Sequence, residues 1–432
     1  MKRSLLDNLL QWKNGKNRKP LLIRGARQVG KTWVMKEFGK LYFQQVLYIN
    51  FERDKLLQSL FEKDFDLKRI LLALQVQTGV NPEPKNTLIV FDEIQEAEGA
   101  LTSLKYFQEM APEYYIIGAG SLLGISLSGQ SFPVGKVDFM DLFPLSFTEF
   151  LMAMNENELL SLIKAGQWEL ISTFHSRYVE LLKQYFLIGG MPEAVASFAE
   201  KKSFDKARDI QKAILMAYEQ DFSKHAPPEI IPRLRMLWNS IPSQLSKENK
   251  KFIYGLVRKG ARAREYEIAL SWLEDYGLVY RVNRITKAGF PLKSYLDPKA
   301  FKLYMADTGL LCTLSGLSEK ILLKGNALFE EFKGALAEQF ILQQLISENK
   351  IHPFYWSKEK SSSEVDFVFE KGNYFYPIEV KSAENLQSKS LRVFNETYHP
   401  KLNIRTSLSN YRKEEWIVNV PLYALHQFVN DL

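Results

Sequence analysis

Gly25-Ala26-Arg27-Gln28-Val29-Gly30-Lys31-Thr32 follows a short apolar run, PLLIR at 20–24, and leads into the helix-like stretch WVMKEFGKL at 33–41. This is the full G-x-x-x-x-G-K-[ST] spacing in its strand–loop–helix setting. Gly25 and Gly30 let the backbone curl so that successive N–H groups, those of Gln28 and Val29 among them, turn toward phosphate oxygens. The positive end of the following helix assists. Lys31 is expected to neutralise the β- and γ-phosphates of ATP, and Thr32 to offer its hydroxyl to Mg²⁺. A nucleotide loop needs an acidic partner, and residues 87–93, TLIVFDE, supply an apolar strand ending in two carboxylates. Asp92 is expected to hold Mg²⁺ through water and Glu93 to orient the attacking water, because hydrolysis depends mainly on positioning and charge neutralisation.

The rest of the chain sets the frame for this site. Its 432 residues exceed one ordinary core, and a composition that is 46% hydrophobic and 25% charged excludes global disorder. No apolar run is long enough to span a bilayer, and the opening MKRSLLDNLLQWKNGK lacks the continuous apolar core of a signal peptide, so a cytoplasmic site is expected. One cysteine and five scattered histidines offer neither a disulfide nor zinc spacing. The net charge of +7 is concentrated: residues 224–302 hold 16 Lys/Arg against 7 Asp/Glu. Clustered positive charge attracts polyphosphate backbones, which makes DNA the expected partner of this segment; a solvated basic surface is the plainer alternative.

Several stretches carry a family resemblance. RGARQVGKT, the LIVFDEIQ strand, GAGSLL at 118–123 and LFPLSFTEFL at 142–151 resemble the bacterial and archaeal AAA-type ATPases that carry a C-terminal DUF4143 domain. LIGGMPEAV at 187–195, LSWLEDYGLVYRV at 270–282 and KLYMADTGLL at 302–311 extend the likeness over most of the chain. The resemblance implies that Ser121, at the end of the strand beginning at Tyr114, senses the γ-phosphate. It also implies a helical lid at 155–225 and, as in many ATPases of this class, a homo-oligomer in which a neighbour's arginine completes the site. The chain departs from the pattern at Ser126-Leu127-Ser128-Gly129-Gln130, where many relatives have an arginine in place of Gln130; Lys136 follows six residues later.

In the middle of the chain, Tyr266, Ala269, Leu270, Leu273 and Tyr276 mark one helix face, Gly277 stands where that helix would end, and two strand-like runs flank Lys287-Ala288-Gly289. Helix, strand, turn and strand are the layout of a winged helix. In it Arg262, Arg264, Arg281, Arg284 and Lys287 are expected to meet nucleic-acid phosphates or base edges. A winged helix used only as a lid or protein contact remains the alternative.

Residues 326–348 read as an amphipathic helix, with Glu338 unexpectedly set among Ala335, Ile341 and Leu342. Downstream, alternation puts Glu364 and Asp366 on one face of a strand, and after a turn at 371–373 a second run places Glu379 and Lys381 together. Asp366 and Glu379 are expected to share Mg²⁺ while Lys381 positions or activates water. Helix Glu, strand Asp, then Glu-x-Lys resembles the PD-(D/E)xK nuclease superfamily, including its Holliday-junction resolvase branch, and that likeness implies Glu338, Asp366, Glu379 and Lys381 as catalytic residues.

The expectation is an α/β multidomain protein: an AAA-type P-loop core (1–154), a helical lid (155–225), a basic winged-helix-like domain (226–305) and a restriction-endonuclease-like α/β domain (306–432). The expected function is a Mg²⁺-dependent ATPase acting on DNA, branched or junction DNA included. A nucleotide-dependent signalling or defence switch with C-terminal protein-interaction modules, and a transcription regulator, stand as alternatives.

Overall fold

The computed structural model describes residues 2–120, 133, 135–247, 250–317, 327–358, 361–382 and 388–432. Ser121 and Gln130 lie outside them. The chain forms two compact units: Lys2–Phe143 with Asp275–Gly277, and Pro144–Glu274 with Leu278–Leu432. No helix among the described residues is long and apolar enough to cross a membrane.

In the first unit, five strands form a sheet: β1 (Leu21–Arg24), β2 (Gln45–Asn50), β3 (Thr87–Asp92), β4 (Tyr115–Gly120) and β5 (Asp138–Asp141). Their order is β2-β3-β4-β1-β5 and every pairing is parallel. Such a sheet is covered on both faces, so its central strands read as continuous apolar runs rather than alternating ones. All six residues of β3 are buried. Leu22, Leu47, Ile89, Phe91 and Ile116 enter one core with Phe51, Phe61, Ile70 and Leu104 from the flanking segments. Because the strands are parallel, their C-terminal ends gather at one edge, where ligands of open α/β sheets bind.

The second unit is built on an eight-stranded mixed sheet: β6 (Val279–Ile285), β7 (Leu296–Met305), β8 (Phe354–Ser357), β9 (Glu364–Lys371), β10 (Tyr374–Val380), β11 (Asn403–Ser407), β12 (Arg412–Lys413) and β13 (Ile417–Pro421). Its order is β12-β13-β11-β10-β9-β8-β6-β7. The expected helix–strand–turn–strand unit is present as the helix Ala263–Asp275 and the antiparallel pair β6–β7. It does not stand as a separate domain. Arg284 and Ile285 of β6 pair in parallel with Tyr355 and Trp356 of β8, so the strand pair extends the C-terminal sheet. The boundaries drawn at 154, 225 and 305 therefore give way to one compact unit after residue 143, because backbone pairing crosses the last of them. The expected β9–β10 hairpin forms, with Gly372 at its turn.

The helix Ala327–Ser347 departs from the amphipathic reading, since every residue from 335 to 346 is buried. A helix enclosed on all sides must hand each polar side chain a partner. Gln339 bonds both backbone groups of Met305, at 2.9 and 2.5 Å. Gln343 accepts the N–H of Thr308 at 3.2 Å and donates to the Tyr185 hydroxyl at 2.9 Å, while Gln344 accepts the N–H of Phe147 at 3.0 Å. Those glutamines pin three distant segments to one helix.

Two stretches singled out in the sequence meet nearby. Asp307 caps the helix Thr308–Leu314 through the N–H of Leu310 (2.9 Å) and accepts the N–H of Gly190 at 2.6 Å. Burial pushes its carboxyl up to about 6, against these hydrogen bonds, which favour the charged form. Gly189 sits at φ 67°, ψ −158°, a region essentially restricted to glycine, and a Cβ there would lie 2.1 Å from Asp307 Oδ1. LIGGMPEAV and KLYMADTGLL are thus two halves of one internal contact. Gly189→Ala is expected to cost about 2 kcal/mol or more of stability in denaturant unfolding. Gly372→Ala, at φ 61° with nothing within 4 Å, should cost only about 1–2 kcal/mol. Equal losses would remove the Asp307 contact as the cause.

Candidate functional site

The loop at 25–30 joins β1 to the helix Lys31–Tyr42. Gly25 has φ 151°, and a Cβ there would come within 2.1 Å of the Leu142 carbonyl oxygen. Gln28 (φ 65°) and Gly30 (φ 96°) also take left-handed backbone, which curls the loop around the start of the helix. The N-cap of that helix is Gly30, which has no side chain to cap it, so its first N–H groups are available to an anion held by the loop. Lys31 is buried, its Nζ donating to the carbonyls of Gly25 (2.7 Å) and Ala26 (2.9 Å). Burial lowers its pKa to about 8, with Glu93 and Asp92 opposing that shift. An ammonium held by neutral carbonyls in a desolvated loop is short of negative charge, and a phosphate supplies it.

Strand β4 lies between β1 and β3, with Arg24 opposite Gly120 and Ala119 opposite Asp92. This register brings the acidic strand end to the loop. Thr32 Oγ1 donates to Asp92 Oδ2 at 2.6 Å, the pair expected to share Mg²⁺. Tyr48, which the sequence did not single out, donates to the same oxygen at 2.8 Å. Burial first, and Asp92 with it, pushes the Tyr48 hydroxyl up to about 12, so it remains a donor. Glu93 stands just past β3 at φ 50° and accepts from Gln95 Nε2 at 2.7 Å. The donor set, one lysine, one hydroxyl and two carboxylates around a curled loop, fits a nucleotide with Mg²⁺ on Thr32 and Asp92. Lys136, a candidate for the missing arginine, pairs with Glu109 at 2.9 Å.

The basic residues divide. Arg262, Arg264 and Lys287 are exposed. Arg281 makes a two-pronged bond to Glu274 (3.0 and 2.7 Å), and Arg284 bonds Asp297 Oδ2 through Nε and Nη2 (3.0 and 2.6 Å). Both guanidiniums are mostly buried against carboxylates of their own unit, so the expected phosphate contacts by Arg281 and Arg284 are corrected to internal ion pairs.

The C-terminal carboxylates come together differently from the metal site expected. Glu338 is buried and accepts the Tyr304 hydroxyl at 2.7 Å, an ion pair from Lys250, and Lys302 Nζ at 3.5 Å. Lys302, fully buried on β7, also lies 2.6 Å from Glu364 and 3.8 Å from Asp366. Burial would raise the Glu338 carboxyl, but Lys250 and Lys302 outweigh it and hold it low. Asp366 moves the other way, raised by burial and then by Glu338. Asp366 Oδ2 accepts the N–H of Val380 at 2.8 Å, and Lys381 pairs with Glu379 at 2.8 Å. Among the described residues no group of three or more His, Cys, Asp or Glu is disposed to hold a metal ion. The residues do not fit Mg²⁺: an ammonium stands among the carboxylates. Lys250, Lys302 and Tyr304 were missed by sequence reasoning, although a lysine inside the apolar run AFKLYM was a visible signal.

A family model described as an AAA domain matches residues 17–151, and models for two domains of unknown function, DUF8612 and DUF4143, match 179–321 and 333–425. The uncharacterized proteins Rv2008c of Mycobacterium tuberculosis and Mb2031c of Mycobacterium bovis are each 22% identical over 383 residues, covering 86% of this chain and 72% of theirs. Among solved structures, the Walker-type ATPase PABY2304 of Pyrococcus abyssi aligns at 15% identity with a TM-score of 0.44, over 72% of this chain and 95% of its own. The Aeropyrum pernix ORC1 protein, solved in complex with DNA, aligns at 12% identity and 0.28, over 72% and 90%. The chain thus carries an AAA domain over residues 17–151 and a DUF4143 domain over 333–425.

Proposed function

We propose that this protein is a Mg²⁺-dependent ATP hydrolase whose basic 224–302 segment meets nucleic acid. The observation that carries the catalytic part is the 2.6 Å hydrogen bond from Thr32 to Asp92, which joins the nucleotide loop to the acidic strand end. Lys31 holds the phosphates from the loop side, while Thr32 and Asp92 hold the cation. Bound Mg²⁺ would neutralise charge on the transferred phosphoryl group. Glu93, held by Gln95, orients water and accepts its proton. The nucleic-acid part is supported by the exposed Arg262, Arg264 and Lys287, all within the basic segment. Phosphodiester cleavage by the C-terminal carboxylates is left out of this reading because Lys302 stands among them.

A second reading, a nucleotide-driven switch whose C-terminal unit binds protein, draws on the internal pairing of Arg281, Arg284 and Lys302. The ATPase rate measured with and without duplex, single-stranded and four-way-junction DNA separates the two: stimulation supports the first, and an unmoved rate with no DNA binding supports the second.

Lys31→Ala is expected to lose tight ATP binding in a nucleotide titration. Glu93→Gln should keep binding and lose phosphate release by about a hundredfold or more. An unchanged rate in the Glu93 variant would give the water to another group.

Changing Arg262, Arg264 and Lys287 together to Ala should leave stability within about 0.5 kcal/mol. The same triple variant should weaken duplex binding and reduce the salt slope by about 0.9 per lost phosphate contact. Arg284→Ala should instead destabilise the fold by about 1.5–3 kcal/mol by stripping Asp297 of its charged partner. A triple variant with unchanged affinity across a salt series would remove this surface from the contact.

A further inference from the structure

We infer that the Lys302 ammonium takes the place of a divalent cation in the C-terminal carboxylate cluster, so that this unit holds its carboxylates together without metal and is not a phosphodiesterase. Lys302 and Tyr304 stand two apart on β7 and so share a face, and both reach Glu338. From that face Lys302 Nζ lies 2.6 Å from Glu364 Oε1, 3.5 Å from Glu338 Oε2 and 3.8 Å from Asp366 Oδ1, with the Tyr355 ring 5.1 Å away. The ammonium bridges three carboxylates drawn from a helix and a strand, as a bound cation does.

Three further features argue that no metal shares the space. Mg²⁺ demands near-octahedral oxygen ligands at about 2.0–2.1 Å. The Glu338 oxygens already accept hydrogen bonds from Tyr304 and Lys250, and Asp366 holds the N–H of Val380 with Oδ2 while Oδ1 faces Lys302. Lys250 and Lys302 already pair with Glu338, and Lys302 with Glu364, so a divalent ion would enter beside two ammoniums at close range. Lys302 is also fully enclosed. Glu379 is the one carboxylate of the expected set outside this arrangement: Oε1 pairs with Lys381, and Oε2 is buried with no hydrogen-bond partner among the described residues.

The test measures Mn²⁺ binding, without nucleotide, to the full chain carrying Asp92→Asn so that the nucleotide site contributes no ion. Free Mn²⁺ is followed by electron paramagnetic resonance, and the thermal midpoint is recorded with and without the metal. The Asp92→Asn parent is expected to bind no Mn²⁺ through the millimolar range and to cut no DNA in its presence. Adding Lys302→Ala should open the site: Mn²⁺ affinity rises by roughly tenfold or more, the midpoint climbs with Mn²⁺, and a further Asp366→Asn abolishes both gains. Lys302→Gln, closer in length, serves if the alanine variant does not fold. A folded Lys302 variant that binds Mn²⁺ no better than the parent overturns the inference. A parent that binds Mn²⁺ or cuts DNA, with either property lost on Asp366→Asn or Glu379→Gln, overturns it whether or not the Lys302 variants fold.

Discussion

A polar group taken from water must find a partner inside the protein, and the helix Ala327–Ser347 shows how much structure follows from that requirement. Glu338, Gln339, Gln343 and Gln344 are all buried, and their partners sit on β7, at the start of the helix Thr308–Leu314, on Tyr185 and at Phe147. Leucines at these positions would have packed against any apolar neighbour. Each glutamine instead accepts only a donor at one distance and angle, so the helix fixes the register of the segments around it. The Gly189–Asp307 contact works by the same rule, with the carboxylate close enough to the backbone that no side chain fits between.

Two buried lysines show why partner chemistry, and not burial, decides what a charge can do. Lys31 and Lys302 are both removed from water. Lys31 bonds two neutral carbonyls, and its carboxylate neighbours only partly offset burial, so its pKa falls to about 8. Lys302 touches carboxylates directly, and they overcome burial and hold its pKa well above the ordinary value. The first ammonium gains from an arriving anion; the second is already satisfied and gains nothing. In sequence the first stands in the G-x-x-x-x-G-K-[ST] spacing and the second inside the apolar run AFKLYM.

That difference explains what could be read in advance. The nucleotide loop was legible because its chemistry is local: Gly25, Gly30, Lys31 and Thr32 are set by spacing, and Asp92 and Glu93, though distant, are announced by their apolar strand, whereas nothing in the sequence announced Tyr48. The β9–β10 hairpin was legible for the same reason, with alternation on both sides of Gly372. The carboxylate cluster was half legible. Alternation and helix position picked out Glu338 and Asp366, but nothing nearby in sequence ties them to Lys302, 36 residues before Glu338. The amphipathic reading of 326–348 failed because period and composition cannot tell a glutamine facing water from one bonded to a backbone amide. Arg281 and Arg284 looked free for phosphate because Glu274 and Asp297 are brought to them by the turn of the chain into β6 and by the β6–β7 pairing.

At the acidic strand end, Asp92 Oδ2 already accepts from both Thr32 and Tyr48. Two neutral donors converging on one carboxylate oxygen orient it, unlike the C-terminal cluster, where ammoniums touch the carboxylates directly. A divalent cation entering beside Thr32 would therefore meet a carboxylate already oriented by two neutral donors. The arriving phosphates would face the first turn of the helix Lys31–Tyr42 and the Lys31 ammonium across the same loop. Under the proposed function, cation and phosphates would meet groups the fold already holds in place, an arrangement that the cluster around Lys302 lacks.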